Sequence, residues 1–243
     1  MLHNAVAIIC SIFPHGEHGS IVRALSADHG LLSGYVRGGR SRVNRPILMP
    51  ANIIEGSWRA RTDGQLAGLT AELVRSRAPL HSEPLAAAAL DWVTALTAAT
   101  LAESYPYPSL YSALDAVLTA IEAAPAAWGW ATSLVRYELL ILQQLGFGLD
   151  LERCAVTGGS DDLVWVSPTS ARAVSRVGGV GYEGRLLTLP DFLASGNALA
   201  SWDDVLAGLT LTGHFIERSL LGDRRADVMA ARARLVDRLT RAA

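Results

Sequence analysis

The side chains with the most chemical potential in this chain stand together in "YVRGGRSRVNRP", residues 35–46, where Arg37, Arg40, Arg42 and Arg45 accompany two glycines and no acid. Like charges this close repel, so the cluster costs stability unless an anion neutralises it. A guanidinium fork matches phosphate oxygens and stacks on flat rings, and a neighbouring glycine lets a polyanion come close to the backbone. The run is therefore either a solvated loop or a grip for phosphate. Other chemical constellations are weak. His15 and His18 have the spacing of a metal pair, but only Glu17 accompanies them, and an exposed turn is the simpler reading. Asp161-Asp162 and Asp203-Asp204 are adjacent rather than facing, which suits turns and helix starts. The glycine-rich "VGGVGYEG" opens no helix and completes no dinucleotide fingerprint. No Ser-His-Asp order or metalloprotease motif is present, so no enzyme and no cofactor are expected.

All 21 basic residues are arginine. Without lysine the chain has neither a Walker A phosphate loop nor a Schiff-base or lysyl-nucleotide intermediate, which excludes conventional ATPases and covalent lysine chemistry. The charge is divided. Residues 1–80 hold nine arginines against five acids, whereas residues 81–243 hold twelve against eighteen, so a basic front part precedes an acidic remainder. Half of the 243 residues are apolar, enough for a core. The apolar runs stop well short of the roughly 18 residues that span a bilayer, and the N-terminus lacks the basic start and cleavage site of a secretory signal. Cys10 and Cys154 form no framework; a reducing, cytoplasmic setting and no membrane association are expected.

The elements that must position the arginines are strands. "AVAIICSIF", "SIVRALS", "LLSGYVRG" and the two segments flanking Asp63-Gly64 are short and β-branched or alternating, with tight turns between them. Five such strands in 1–80 predict a small barrel of the oligonucleotide-binding (OB) type, which holds single strands across one face. Gly34, Gly56 and Gly68 supply its bends. The arginine run becomes a loop or edge on the barrel, with Arg23 as a further cation and Tyr35 and Trp58 as either stacking platforms or plain packing. From Ser82, taken as an N-cap, the period changes to that of helices. Helices are predicted to about Ala123, up to a stop at Gly146, after a Ser201 cap, and from about Asp223 to Arg241. An irregular insert at about 150–190 contains one strand, "DLVWVS". The fold class is α+β: a barrel domain, 1–80, then a helical domain, 81–243.

"PHGEHGSIVRALSADHGLLSGYVRGGRSR" with "PANIIEGSWRAR", and later "VRYELLILQQLGFGLDLERCAVTG" with "DLVWVSPTSARAVSR", resemble the bacterial recombination mediator family RecO over most of the chain. The resemblance implies a DNA repair factor. RecO proteins bind single- and double-stranded DNA, anneal complementary strands and, with RecR, help RecA displace single-strand-binding protein. Carried to this sequence, it gives Arg37, Arg40, Arg42, Arg45, Arg23 and Tyr35 as DNA-binding candidates. The family also binds the C-terminal tail of single-strand-binding protein on its helical domain, which points to Arg136 with Tyr137 and Leu140 as a carboxylate and aromatic receptor; the alternative is an arginine reaching solvent or pairing with Glu138. Many members hold zinc in two Cys-x-x-Cys pairs. Here the first has become Cys154-Ala155-Val156-Thr157 and the second is absent, so the insert reads as a degenerate zinc ribbon, no metal is expected, and Cys154 reads as a buried apolar residue packed with Leu163, Val164, Trp165 and Val166. The rival function is an OB-fold adaptor that binds an acidic protein and never touches DNA.

Overall fold

The computed structural model describes residues 2–62, 64–123, 128–196, 200–221 and 226–242. It divides into two compact units, Met1–Ala123 with Ala230–Leu235, and Ala124–Met229 with Val236–Ala243. The first unit opens with five strands, β1 (Leu2–His15), β2 (Gly19–Ser26), β3 (Gly30–Val36), β4 (Ile53–Arg59) and β5 (Ala67–Arg75), closed into a barrel in the order β1-β2-β3-β5-β4. Neighbours are antiparallel except β3 and β5, which run parallel and meet only through Gly34 with Ala67 and Tyr35 with Gly68. Strand alternation turns Ile9, Val22, Leu32, Ile54, Trp58 and Leu69 inward.

Trp58 is 2 % exposed and belongs to this core, so packing rather than stacking describes it. It also explains two glycines. A Cβ at Gly56 would lie 2.3 Å from the indole ring, and one at Gly34 would lie 2.8 Å from its Nε1. Bends are thus only part of their role; they make room for the largest side chain in a narrow barrel. β4 and β5 pair antiparallel, but residues 60–66 connect them as a longer loop rather than a two-residue turn. Gly64 sits there at φ +82°, and Asp63 lies outside the described residues.

Two helices follow the barrel in the first unit, α1 (Pro84–Thr100) and α2 (Pro108–Ala123). The N-cap of α1 is Glu83, not Ser82, and Pro84 takes the first helical turn. Ser82 instead ends a short 3-10 turn and its hydroxyl donates to the Pro79 carbonyl at 2.6 Å. In the second unit, α3 (Trp128–Gln144) ends before Gly146 at φ +86°. The insert forms a three-stranded sheet of β6 (Leu163–Val166), β7 (Ala173–Ser175) and β8 (Leu187–Thr188), in the order β7-β6-β8. Strands of two and three residues are too short to show a period in sequence. After α4 (Asp191–Ala194), α5 (Trp202–Phe215) starts at Ser201, whose side chain accepts from Asp204 N–H in a reciprocal capping box. α6 (Ala226–Ala242) follows; the expected start near Asp223 falls outside the described residues. The architecture is the α+β arrangement anticipated, a five-stranded barrel followed by a helical region. Among the described residues no helix is long and apolar enough to cross a membrane.

Candidate nucleic-acid interface

The arginine run occupies the connection from β3 to β4, and it is a folded loop rather than a loose one. Gly38, at φ +65°, turns the chain at the end of β3. Asn44 then ties the loop across itself, its Nδ2 donating to the Gly38 carbonyl at 3.1 Å and its carbonyl accepting from Leu48 N–H at 2.9 Å. Leu48 is buried in the barrel core and Ile47 packs against it, which anchors the C-terminal side. Gly39 lies so close to Ser20 that a Cβ there would be 2.7 Å from the Ser20 Cβ. Arg37, Arg40, Arg42 and Arg45 are all exposed. Arg40 donates to the Glu17 backbone carbonyl at 3.3 Å. Among the described residues none of the four guanidinium groups forms an ion pair. Arg37 and Arg40 share a depression of about 390 Å³ with His18, Gly38 and Ser41. Arg40 and Arg45 share another of about 370 Å³ with Ser20, Gly39 and Leu48. Arg40 therefore stands between two clefts whose charge is cationic and unneutralised, the electrostatic requirement for holding a polyanion.

The other two barrel candidates have different surroundings. Arg23 on β2 donates to the Ala98 carbonyl, near the C-terminal end of α1, and lies 3.2 Å from the Glu103 carboxylate. Its charge complements the helix dipole and is met by an acid, so it stands apart from the loop. Tyr35 on β3 is half-buried; it makes an edge contact with His15 at 5.7 Å and lies over Gly19, where a Cβ would be 2.3 Å from the ring. Its position two residues before Arg37 puts an aromatic ring at the entrance to the loop. His18 approaches Glu17 at 3.9 Å on an exposed turn.

Two residues that hold the loop gave no signal in sequence. Asn52 is fully buried; its Nδ2 donates to the Pro46 and Ile47 carbonyls, each at 3.0 Å, and its Oδ1 accepts from Arg77 N–H at 2.8 Å. Arg77, whose side chain is 0 % exposed, donates to the Ala51 carbonyl at 3.0 Å, to Asp115 at 2.9 Å, to Thr119 at 3.2 Å and to Glu122 at 3.4 Å. These partners lie 26 to 45 positions away in sequence, beyond the reach of any local pattern.

The model of the recombination protein O N-terminal domain matches residues 1–77, and that of the C-terminal domain matches residues 81–227. DNA repair protein RecO of Gluconacetobacter diazotrophicus is 42% identical over 236 residues, 96% of this chain and 93% of its own. That of Rhodospirillum centenum is 43% identical over 239 residues, 97% of this chain and 94% of its own. This chain belongs to the RecO family. The basic loop lies within the residues that match the N-terminal model.

In the helical unit of this RecO-family chain, Arg136 is exposed on α3, with its guanidinium 5.7 Å from the Phe192 ring centroid and donating to the Phe192 carbonyl at 3.4 Å. Leu140, one turn on, is partly buried, whereas Tyr137 is 1 % exposed and faces the interior. Arg136 and Leu140 therefore share a face that Tyr137 does not. Glu138 is buried and accepts from the Thr212 hydroxyl.

The zinc that the resemblance implied does not fit this insert. Among the described residues no three His, Cys, Asp or Glu side chains converge, and Cys154 has no second thiolate beside it. Cys154 is buried, but it is not merely apolar. Its sulfur accepts from Val156 and Thr157 N–H at 3.4 Å, from Ser175 N–H at 3.2 Å and from the Ser175 hydroxyl at 3.3 Å. Burial pushes the thiol up, but the hydrogen bonds from Ser175 and Thr157 outweigh it and bring the pKa from 9.0 down to about 6. Cys10 in the barrel is the opposite case, with burial pushing it up to about 12. Trp165 packs against Gly179, its ring 2.5 Å from where a Cβ there would stand.

Proposed function

We propose that this protein is a DNA repair and recombination mediator that binds single- and double-stranded DNA through the β3–β4 loop without sequence preference. The observation that carries this reading is a pinned loop that exposes four guanidinium groups, Arg37, Arg40, Arg42 and Arg45, none of them in an ion pair among the described residues. Free guanidinium groups at fixed positions release counterions from a phosphate chain and give affinity independent of base identity. Strand annealing follows from the same property, since a protein that holds backbone rather than base edges leaves those edges available for pairing. Within the family's role it acts with RecR to help RecA displace single-strand-binding protein, by binding rather than by catalysis. The test is fluorescence anisotropy of labelled single strands and duplexes against the wild type and Arg37→Glu/Arg40→Glu. Loss of binding to both, with an unchanged unfolding curve, supports the loop. Unchanged affinity favours the adaptor reading.

The tail of single-strand-binding protein is proposed to dock on the Arg136 and Leu140 face of α3. Arg136, fixed over Phe192, receives the terminal carboxylate and Leu140 offers apolar contact, while Tyr137 supports the helix from within. Replacing Arg136 with Ala should weaken a tail peptide about ten-fold; an unchanged affinity removes Arg136 from the site.

A further inference from the structure

The turn that builds the arginine loop also leaves a strand edge open. After Val36 the chain bends at Gly38 and Gly39 toward β2, where Arg40 N–H donates to the His18 carbonyl at 3.3 Å. β3 therefore accompanies β5 only at Gly34 with Ala67 and Tyr35 with Gly68. From Leu69 to Arg75, β5 is paired with β4 alone, and among the described residues no other backbone hydrogen bond reaches it. The free side of this stretch is a row of unpaired N–H and C=O groups about 20 Å long, a template for an added strand.

The side chains beside that edge narrow what can add to it. Glu72 is the register partner of Glu55 on β4, and both are exposed. Like charges directly opposite across a ladder destabilise it, yet among the described residues neither carboxylate has an ion pair. The neighbouring cations are committed or distant. Arg75 on β5 is held by Glu122 of α2 at 2.8 Å, and Arg59 stands four residues, about 13 Å, along β4 from Glu55. Next to Glu72, Leu73 and the bulged Val74 are 41% and 57% exposed.

We propose that the free edge of β5 docks an extended basic segment of a partner protein, added as a further strand. A lysine or arginine of that segment lies opposite Glu72, and an apolar residue covers Leu73 and Val74. Main-chain bonds along the edge supply affinity, while the alternating side chains select the partner. The Glu55–Glu72 pair repels phosphate, so nucleic acid does not fit here. The inference is independent of the reading of the loop, which uses other residues of the barrel.

The probe is a labelled peptide of about ten residues alternating lysine and valine, titrated into the full chain without DNA. One control peptide carries glutamate in place of lysine; the other is N-methylated throughout and cannot donate. The lysine peptide should bind about ten-fold more tightly than either control. It should slow hydrogen exchange in residues 69–75 and leave residues 37–46 unchanged. Glu72→Lys removes the repulsion from Glu55 at an exposed position and keeps the fold. It should weaken the lysine peptide about ten-fold and strengthen the glutamate one. Equal affinity for the three peptides overturns the inference, as does binding that Glu72→Lys leaves unchanged. Sedimentation of the protein alone tests the other occupant: a dimer whose formation slows exchange at 69–75 would assign the edge to a second copy and overturn it too. Arg37→Glu/Arg40→Glu should leave all these outcomes as they are, so the two readings fail separately.

Discussion

Two groups of arginines in the first unit lie on either side of Asn52 and meet opposite fates. Arg77 is 0 % exposed and surrounded by Asp115, Glu122, Thr119 and the Ala51 carbonyl, with Arg75 adding a second contact to Glu122 at 2.8 Å. Its charge is consumed in joining the end of β5 to α2. Arg37, Arg40, Arg42 and Arg45 are exposed and without ion pairs among the described residues. Asn52 links the two regions, giving two bonds to the end of the loop at the Pro46 and Ile47 carbonyls and taking one from Arg77 N–H. An arginine surrounded by carboxylates is structural, while one held on a rigid loop without them remains available to an external anion.

The comparison breaks first at Arg77. Arg77→Met should destabilise the protein by about 3 kcal/mol, the low end for breaking a buried pair, because Asp115 and Glu122 keep 39% and 33% exposure. Urea unfolding measures this, and the folded fraction should bind DNA as the wild type does. Asn52→Ala removes three bonds at a buried position and should cost about 2 kcal/mol. It should also weaken DNA a few-fold by loosening the loop, so it is the one variant that moves both readouts. Alanine at Arg37, Arg40, Arg42 or Arg45 should change stability by no more than about 0.5 kcal/mol. Each should reduce the salt slope of single-strand binding by about 0.7. A loop substitution that unfolded the protein would erase the distinction.

The cysteines extend the same contrast, with the smallest consequence for binding. Thiolate absorbance should titrate near pH 6 through Cys154, disappear in Cys154→Ala and move upward in Ser175→Ala. Because the folded value lies below the unfolded 9.0, the thiolate's contribution to stability is complete above pH 9.0 and is lost as pH falls through about 6. The difference in stability between the wild type and Cys154→Ala should therefore grow as pH rises across that window. A constant difference would place the sulfur outside the titration.

What was legible in the sequence was local. The strand alternation, the Ser201 capping box, the stop at Gly146 and the basic run each depend on residues a few positions apart, and each matched the fold. Ser82 misled because two turns compete for it, and the 3-10 turn wins with its own hydrogen bond to Pro79. Arg77 and Asn52 were invisible because their partners come from α2 and from the loop end, brought close only by folding. The two glycines facing Trp58 could be read as bends because a cross-strand indole leaves no mark at their own positions. Cys154 stands where the resemblance puts the first of four metal-binding cysteines, but only the structure reveals that backbone N–H groups and Ser175 surround its sulfur.

The most direct test of the account is the salt dependence of single-strand affinity for the unmodified protein. Four phosphates neutralised by the loop predict that log K falls against log salt with a slope of roughly −3. A slope near zero, with binding intact, would contradict the claim that the β3–β4 arginines hold the DNA backbone.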